Sequence, residues 1–189
     1  MKRIAKFHKV SLEQFKKDWI DTFGLDEEAN IEEIYENIKL PRRATAGSAG
    51  YDFFAPVRLI LEPGETLKIP TGIRVEMDPE WVLKCYPRSG LGFKYRLQLN
   101  NTVGIIDSDY FYSDNEGHMF SKITNDTNEE KTIDIAQGEG FMHHAAQFFL
   151  FSDCPAHRSL SDSRYPSSAA SYPFVPLQIC RPQLHPDTV

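Results

Sequence analysis

Cysteine is scarce in this chain. Three residues, at 85, 154 and 180 of 189, are too few and too scattered for a disulfide frame or a zinc site. A reducing compartment suits such a chain. Long apolar runs are missing as well, and nothing approaches the roughly 18 consecutive apolar residues of a membrane-spanning helix. The stretch Met1–Lys9 has no apolar segment followed by a small-residue cleavage site, so it does not read as a secretory signal. Nor is there an excess of basic residues: 21 Lys and Arg face 27 Asp and Glu, a net charge of −6. That balance excludes a sequence-independent grip on duplex DNA, which needs a basic face to displace counterions. A small phosphorylated ligand stays open, because it needs only a few cations and backbone N–H groups. The expected setting is cytoplasmic, with neither nucleic acid nor membrane as partner. Aromatics are plentiful: thirteen Phe, eight Tyr and two Trp give enough apolar mass for the core of one domain.

The pattern along the chain divides in three. Residues 3–10 alternate polar and apolar, as a half-buried strand does. Ser11 and Gln14 form a capping-box pair, Phe15, Trp19, Ile20 and Phe23 follow at helical spacing, and Gly24 ends the run. A second, acidic helix is expected from Asn30 to about Asn37, with Pro41 ending it. From Leu40 to about Leu150 short β-rich runs are punctuated by Gly and Pro, among them Tyr51–Ala55, Leu59–Leu61, Gly72–Met77, Trp81–Tyr86, Gly104–Ile106, His118–Thr124 and Phe141–Phe151. Such density without intervening helices reads as an all-β barrel or jelly roll. Asn125–Lys131 reads as a hairpin tip. Residues 152–189 hold six of the twelve Pro and seven Ser, the composition of an irregular tail. The expected division is a barrel unit over 1–151 (strand and helices 1–39, barrel 40–151) and a tail over 152–189.

Three segments carry chemistry. In Gly47–Ala55, Asp52 interrupts an apolar strand; it caps a local turn or binds a cation. In Tyr86–Gly92, a strand ends at Pro87, and Arg88, Ser89 and Gly90 follow. That is an ordinary strand-to-loop turn or a phosphate cradle of guanidinium, hydroxyl and backbone N–H. In Asn101–Tyr110, Asp107 and Asp109 lie across a strand exit beside Tyr110. This reads as a solvated acidic hairpin turn, or as a carboxylate next to an aromatic that can stack on a ring.

Taken together, Gly50-Tyr51-Asp52, Pro87-Arg88-Ser89-Gly90-Leu91 and Gly104-Ile105-Ile106-Asp107-Ser108-Asp109-Tyr110 resemble, in order and spacing, the first three motifs of the homotrimeric deoxyuridine triphosphate nucleotidohydrolases (dUTPases). The resemblance covers about residues 40–142, and Tyr112–His118 is similar to a bacterial subgroup. It implies a distorted jelly-roll barrel with a short N-terminal helical insertion, forming a homotrimer with active sites between subunits. The implied reaction is hydrolysis of dUTP to dUMP and pyrophosphate by attack of water on the α-phosphorus. That chemistry keeps uracil out of DNA and supplies dUMP for dTMP synthesis.

By the same resemblance Asp107 activates the water, and Tyr110 packs on deoxyribose and excludes a 2′-hydroxyl. Asn101, Gly104, Ile105, Ile106 and Met119 hold the uracil, the last four through a main-chain hairpin. Arg88, Ser89 and Gly90 cradle the phosphates. Mg²⁺ is expected on the phosphate oxygens, with Asp52 gripping its waters.

The likeness breaks near the end. The fourth motif has His143 where a phosphate-binding Gln is expected, and the Gly-rich arm of the fifth is missing, since no Gly follows Gly140. A reading frame shifted at about His143 is the expectation this suggests. The alternative function is an impaired or non-catalytic nucleotide-binding or interaction protein. Deoxycytidine triphosphate deaminases share the barrel, but their Ile-Asp-Pro-Gly is Ile106-Asp107-Ser108-Asp109 here.

Overall fold

The computed structural model describes residues 4–24 and 30–145. The expected boundary at 151 and the tail over 152–189 lie outside these residues. Fifteen elements follow one another, eleven of them strands. The chain begins with strand β1 (Ala5–Lys9), helix α1 (Leu12–Phe23) and helix α2 (Ile31–Glu36). Then come β2 (Gly50–Phe54), β3 (Leu59–Leu61), β4 (Thr66–Pro70), β5 (Ile73–Met77) and β6 (Leu83–Pro87). A short helix α3 (Ser89–Tyr95) leads into β7 (Leu97–Leu99) and β8 (Gly104–Ile106). A 3-10 turn over Ser108–Tyr112 precedes β9 (Phe120–Asn125), β10 (Ile133–Ile135) and β11 (Gly140–Ala145).

All the strand pairs are antiparallel. They form sheets in the orders β2-β11-β6-β8, β4-β9-β7, β1-β5 and β10-β3. Period-two burial builds the inner faces: Leu59 and Leu61 of β3, and Ile133 and Ile135 of β10, are buried while the residues between them face out. These side chains meet Phe53, Ile69, Leu83, Ile123 and Phe141 in one core. The result is the all-β, jelly-roll-like architecture that the sequence implies, with helices at the N-terminal end.

Helix α1 is attached to the barrel through Phe15 and Trp19, which are buried; each contributes about 1.5–3 kcal/mol by leaving water. Ser11 caps it, accepting from the Gln14 N–H at 3.1 Å. Only half of the expected capping box forms. Gln14 turns away to donate to Asp18 Oδ2 at 2.8 Å. The Ser11 N–H and hydroxyl donate instead to Glu116, 105 residues on, at 2.7 and 2.6 Å. A tertiary carboxylate has replaced the local one.

Three other expectations shift. Helix α2 ends at Glu36, where Asn37 donates its side-chain amide to the Glu33 carbonyl at 2.9 Å, so the cap stops it before Pro41 is reached. Residues 89–95, read as a turn, form α3. Two Gly lower its intrinsic propensity and no side chain caps it, but Leu91 and Tyr95 pack on the core. Finally, Asn125–Lys131 is a crossover between sheets. β9 pairs with β4 and β7, and β10 with β3. Asn125 is buried, donating to the carbonyls of Leu61 and Lys131 at 3.0 and 2.9 Å.

His118 joins the helix to the barrel. Its ring is fully buried. Nε2 accepts from the Gly72 N–H at 2.7 Å, which leaves Nδ1 to carry the proton and donate it to Asp18 Oδ2 at 2.5 Å. Gly72 has φ +71, and a Cβ there would stand 2.3 Å from Ile38 Cδ1, so only glycine brings this N–H to the imidazole. Burial pushes the His118 pKa down, with Asp18 pulling the other way.

A histidine whose folded pKa lies below its unfolded value contributes stability that is present above the unfolded pKa of about 6.5 and is lost as pH falls from there. Thermal denaturation should therefore show the melting temperature falling as pH drops below about 6.5. His118→Gln should flatten that limb, and a limb unchanged in the variant would assign the loss to other groups.

Candidate functional site

The turn from β7 into β8 is tight. The Thr102 N–H donates to Leu99 O at 2.9 Å and the Val103 N–H to Asn101 O at 2.6 Å, with Thr102 in the left-handed region at φ 63. β8 then runs beside β6, with Cys85 opposite Gly104 and Leu83 opposite Ile106. The approach is close enough that a Cβ on Gly104 would meet Cys85 Cβ at 2.9 Å and Sγ at 3.3 Å. Asn101 Nδ2 lies 3.9 Å from the same point. Here glycine serves the site by letting the backbone pass the Cys85 side chain. Burial pushes the Cys85 thiol up to about 12, so this cysteine is a small apolar wall and no nucleophile.

Among the described residues β8 is an edge strand, paired to β6 alone. Its outward main-chain N–H and C=O groups are those an edge offers to a ligand. A cavity of about 400 Å³ adjoins the strand, lined by the buried Phe53, Cys85 and Met142 and by Asn101, Lys68 and Lys122. Gly104, Ile105, Ile106 and Met119 line it too. A second cavity of about 500 Å³ adjoins it through Ile105, Ile106, Met119 and Phe120, and adds Asp107, Asp109 and Tyr110.

The expected hairpin is not a ladder, because β8 and β9 pair with different strands. The Met119 N–H donates to Ile73 O, and its carbonyl accepts from the N–H and the hydroxyl of Thr71 at 3.2 and 2.6 Å. Met119 thus presents its side chain, with its main chain already engaged. The opening between the two arms is the cavity itself.

Asp107 leaves β8 in an extended conformation, φ −79 and ψ 157, and is exposed. Tyr110, half-buried, donates its hydroxyl to the His118 carbonyl at 2.9 Å and accepts from Asn115 Nδ2 at 2.9 Å. A carboxylate and a fixed aromatic ring therefore stand at the end of a cavity large enough for a planar base.

The remaining site residues gather elsewhere. The Arg88 N–H donates to Phe141 O at 3.3 Å and its Nη1 to Gly140 O at 3.2 Å. Asp52, 6% exposed on β2, meets Arg88 at Gly140. A Cβ there would stand 3.4 Å from Arg88 Nη1 and 3.6 Å from Asp52 Cβ. Ser89 and Gly90, both exposed, open α3 beside Arg88, where first-turn N–H groups have no intrahelical acceptor. β11 continues through His143 and His144, whose backbones pair with Asp52 and Tyr51. The strand thus extends past the point where the family likeness ends.

The two groups are at opposite ends of β6. Asp107 follows Ile106, which is opposite Leu83, and Arg88 follows Pro87. Along the strand that is about six residues, or roughly 20 Å. Sequence reading gave no role to Cys85, Asn115 or His118. A histidine followed by apolar residues was the one visible signal for His118.

The family model for dUTPase matches residues 36–140, more than half of the chain. The deoxyuridine 5′-triphosphate nucleotidohydrolase of Lactococcus lactis is 43% identical over 122 residues, covering 63% of this chain and 80% of that protein. That of Azotobacter vinelandii is 42% identical over 127 residues, 66% of this chain and 77% of its own length. The crystal structure of dUTPase from Streptococcus mutans superposes with a TM-score of 0.53 at 32% identity, covering 73% of this chain and 91% of that one. A dUTPase from phage phi11 of S. aureus, at 20% identity and a TM-score of 0.51 over 75% of this chain and 88% of its own, shares the fold.

Gly104→Ala should push β8 off Cys85 and distort the cavity. Binding of a nucleotide analogue, followed by calorimetry, should weaken at least about tenfold. Unchanged affinity would mean that the ligand does not use this edge.

Proposed function

We infer that this chain, which belongs to the dUTPase family, hydrolyses dUTP to dUMP and pyrophosphate with Asp107 as the group that activates water. Family membership supports hydrolysis of dUTP in general; attack at the α-phosphorus and the roles of individual residues are our reading. The observation that carries it is the single line from cavity to carboxylate: edge strand β8 borders a base-sized cavity and ends directly in Asp107, with Tyr110 just beyond.

Uracil would lie against the outward main chain of Gly104, Ile105 and Ile106, with Asn101 at the rim and the Met119 side chain behind it. A base with the opposite donor and acceptor pattern leaves buried polar atoms unpaired there, which is the costly form of mismatch. Tyr110, held from two sides, covers the deoxyribose and leaves no room at the 2′ position. Asp107 orients the water and accepts its proton as oxygen bonds the α-phosphorus. The bond from that phosphorus to the bridging oxygen breaks, and pyrophosphate leaves. Arg88, the Ser89 hydroxyl and the Gly90 N–H hold the phosphate oxygens in line.

Among the described residues no group of three or more His, Cys, Asp or Glu could enclose a metal. That fits magnesium carried on phosphate oxygens, as a hard cation that keeps most of its waters. Asp52, next to Arg88 at Gly140, is suited to hold such waters; when bound, the ion supplies charge neutralisation on the phosphates.

The roughly 20 Å along β6 between Asp107 and Arg88 supports a site whose two halves come from different chains. We therefore propose a homotrimer, with Asp107 from one subunit facing Arg88, Ser89, Gly90 and Asp52 of another. A second reading, binding without turnover, is favoured by the lack of any Gly after Gly140, since a Gly-rich closing arm is then not encoded in these residues. Pyrophosphate release from dUTP with Mg²⁺, with dTTP, dCTP and UTP as controls, separates the two: turnover confined to dUTP supports the enzyme, whereas binding of a non-hydrolysable analogue without turnover supports the other.

Asp107→Asn should lower kcat by a factor on the order of 10³ or more while analogue binding stays near wild type; equal loss of both would contradict the proton-accepting role. Asp107→Asn and Arg88→Ala chains, each inactive alone, should regain activity when refolded together, with about a quarter of sites intact by random assortment. No recovery would place both residues in one subunit's site.

A further inference from the structure

We propose that Asp18 and His118 are positioning residues for the sugar-facing wall of the site, so that helix α1, outside the three motifs, sets how tightly the enzyme excludes a 2′-hydroxyl. This rests on the reading of Tyr110 given above. The chain of contacts is short. The Tyr110 hydroxyl donates to the His118 carbonyl, and that peptide is anchored through the imidazole of the same residue. Nε2 accepts from the Gly72 N–H, and Nδ1 donates to Asp18 on α1. Gln14, one turn earlier, donates to the same Asp18 oxygen at 2.8 Å and fixes the carboxylate.

The ring is fully buried and packs against Phe15 and Phe120, at centroid distances of 6.1 and 4.6 Å. The segment between Asp107 and Met119 is irregular, a 3-10 turn followed by turns. Such a segment holds an aromatic ring to the tolerance a sugar contact needs only if rigid elements brace it. α1 supplies a second brace on the same segment, since Ser11 holds Glu116 and Glu116 pairs with Arg74, whose Nη2 donates to the Phe111 carbonyl at 2.6 Å.

Nothing else about His118 explains its cost. A polar ring buried at the foot of a β-strand is retained when its hydrogen bonds fix a geometry that an apolar residue would leave loose.

The test uses the full chain. Asp18→Ala removes the acceptor of Nδ1–H, while Asp18→Asn keeps an oxygen there. His118→Gln keeps an acceptor for the Gly72 N–H and loses the link to the helix. The readout is the ratio of kcat/KM for dUTP to that for UTP, alongside thermal melts. Asp18→Ala and His118→Gln should each lower the ratio about fivefold or more, chiefly through better use of UTP. Asp18→Asn should hold it near wild type, which a purely structural loss would not do. A downfield, slowly exchanging imidazole N–H proton should be seen by NMR in wild type and Asp18→Asn and be absent in Asp18→Ala.

Tyr110→Ala is the control for the underlying reading. If it leaves the ratio unchanged, the role of Tyr110 is wrong. If it lowers the ratio and neither Asp18→Ala nor His118→Gln does so, the link through α1 is wrong. Should Asp18→Ala fail to fold, His118→Gln cuts the same link from the barrel side. A wild-type spectrum without the protected N–H proton would overturn the proposed tautomer and the proposal with it.

Discussion

Strand β6 is held from both sides by antiparallel ladders, to β8 through Leu83–Cys85 and to β11 through Tyr86 and Pro87, and the candidate chemistry is arranged around that double pairing. One end of the strand sets the depth of β8 and so of Asp107. The other end delivers Arg88 against Gly140 and Asp52. Because the rise per strand residue is invariant, the two ends stay roughly 20 Å apart whatever the side chains do. Separation of Asp107 and Arg88 is thus a property of the backbone. The proposed site shared between subunits would reunite them.

The cavity follows from the same ladder. Among the described residues β8 has one strand neighbour, and a second edge of that kind can bond a ligand. The facing arm at Met119 has spent its main chain on Thr71 and Ile73, and so it cannot zip up against β8. The gap between them persists because each arm is committed to a different sheet. Gly104 and buried, protonated Cys85 then allow β8 to sit close against β6 beside the cavity.

On the helical side, two carboxylates hook the irregular segment after Asp107 to the chain's first elements: Asp18 to His118, and Glu116 to Ser11. The first hook is buried and the second is partly exposed. His118 is fully buried, and Glu116 is held below the usual carboxylate range, first by the Ser11 hydroxyl. Their effect is to give a stretch without regular hydrogen bonding the stiffness of the elements around it. α1, which contributes no motif residue, becomes part of the frame on which Tyr110 is mounted.

Local grammar alone determined much of this protein. Alternation of apolar residues located nearly every strand, Ser11 and Gly24 bounded α1, and three short runs of Gly, Arg, Ser, Asp and Tyr carried the resemblance to the dUTPases. Those features act over a few residues, so the sequence displays them directly. Other features came from contacts 46 to 105 residues apart, which no window of sequence contains. Glu116 in place of Gln14 at the helix cap and the Asp18–His118 link are of this kind, while α3 forming despite two Gly and β8 and β9 diverging to different sheets rest on packing and strand pairing. Which carboxylate a cap will use, and whether two adjacent strands will pair or part, depends on the competing partners that folding brings near, and only the tertiary structure settles that competition.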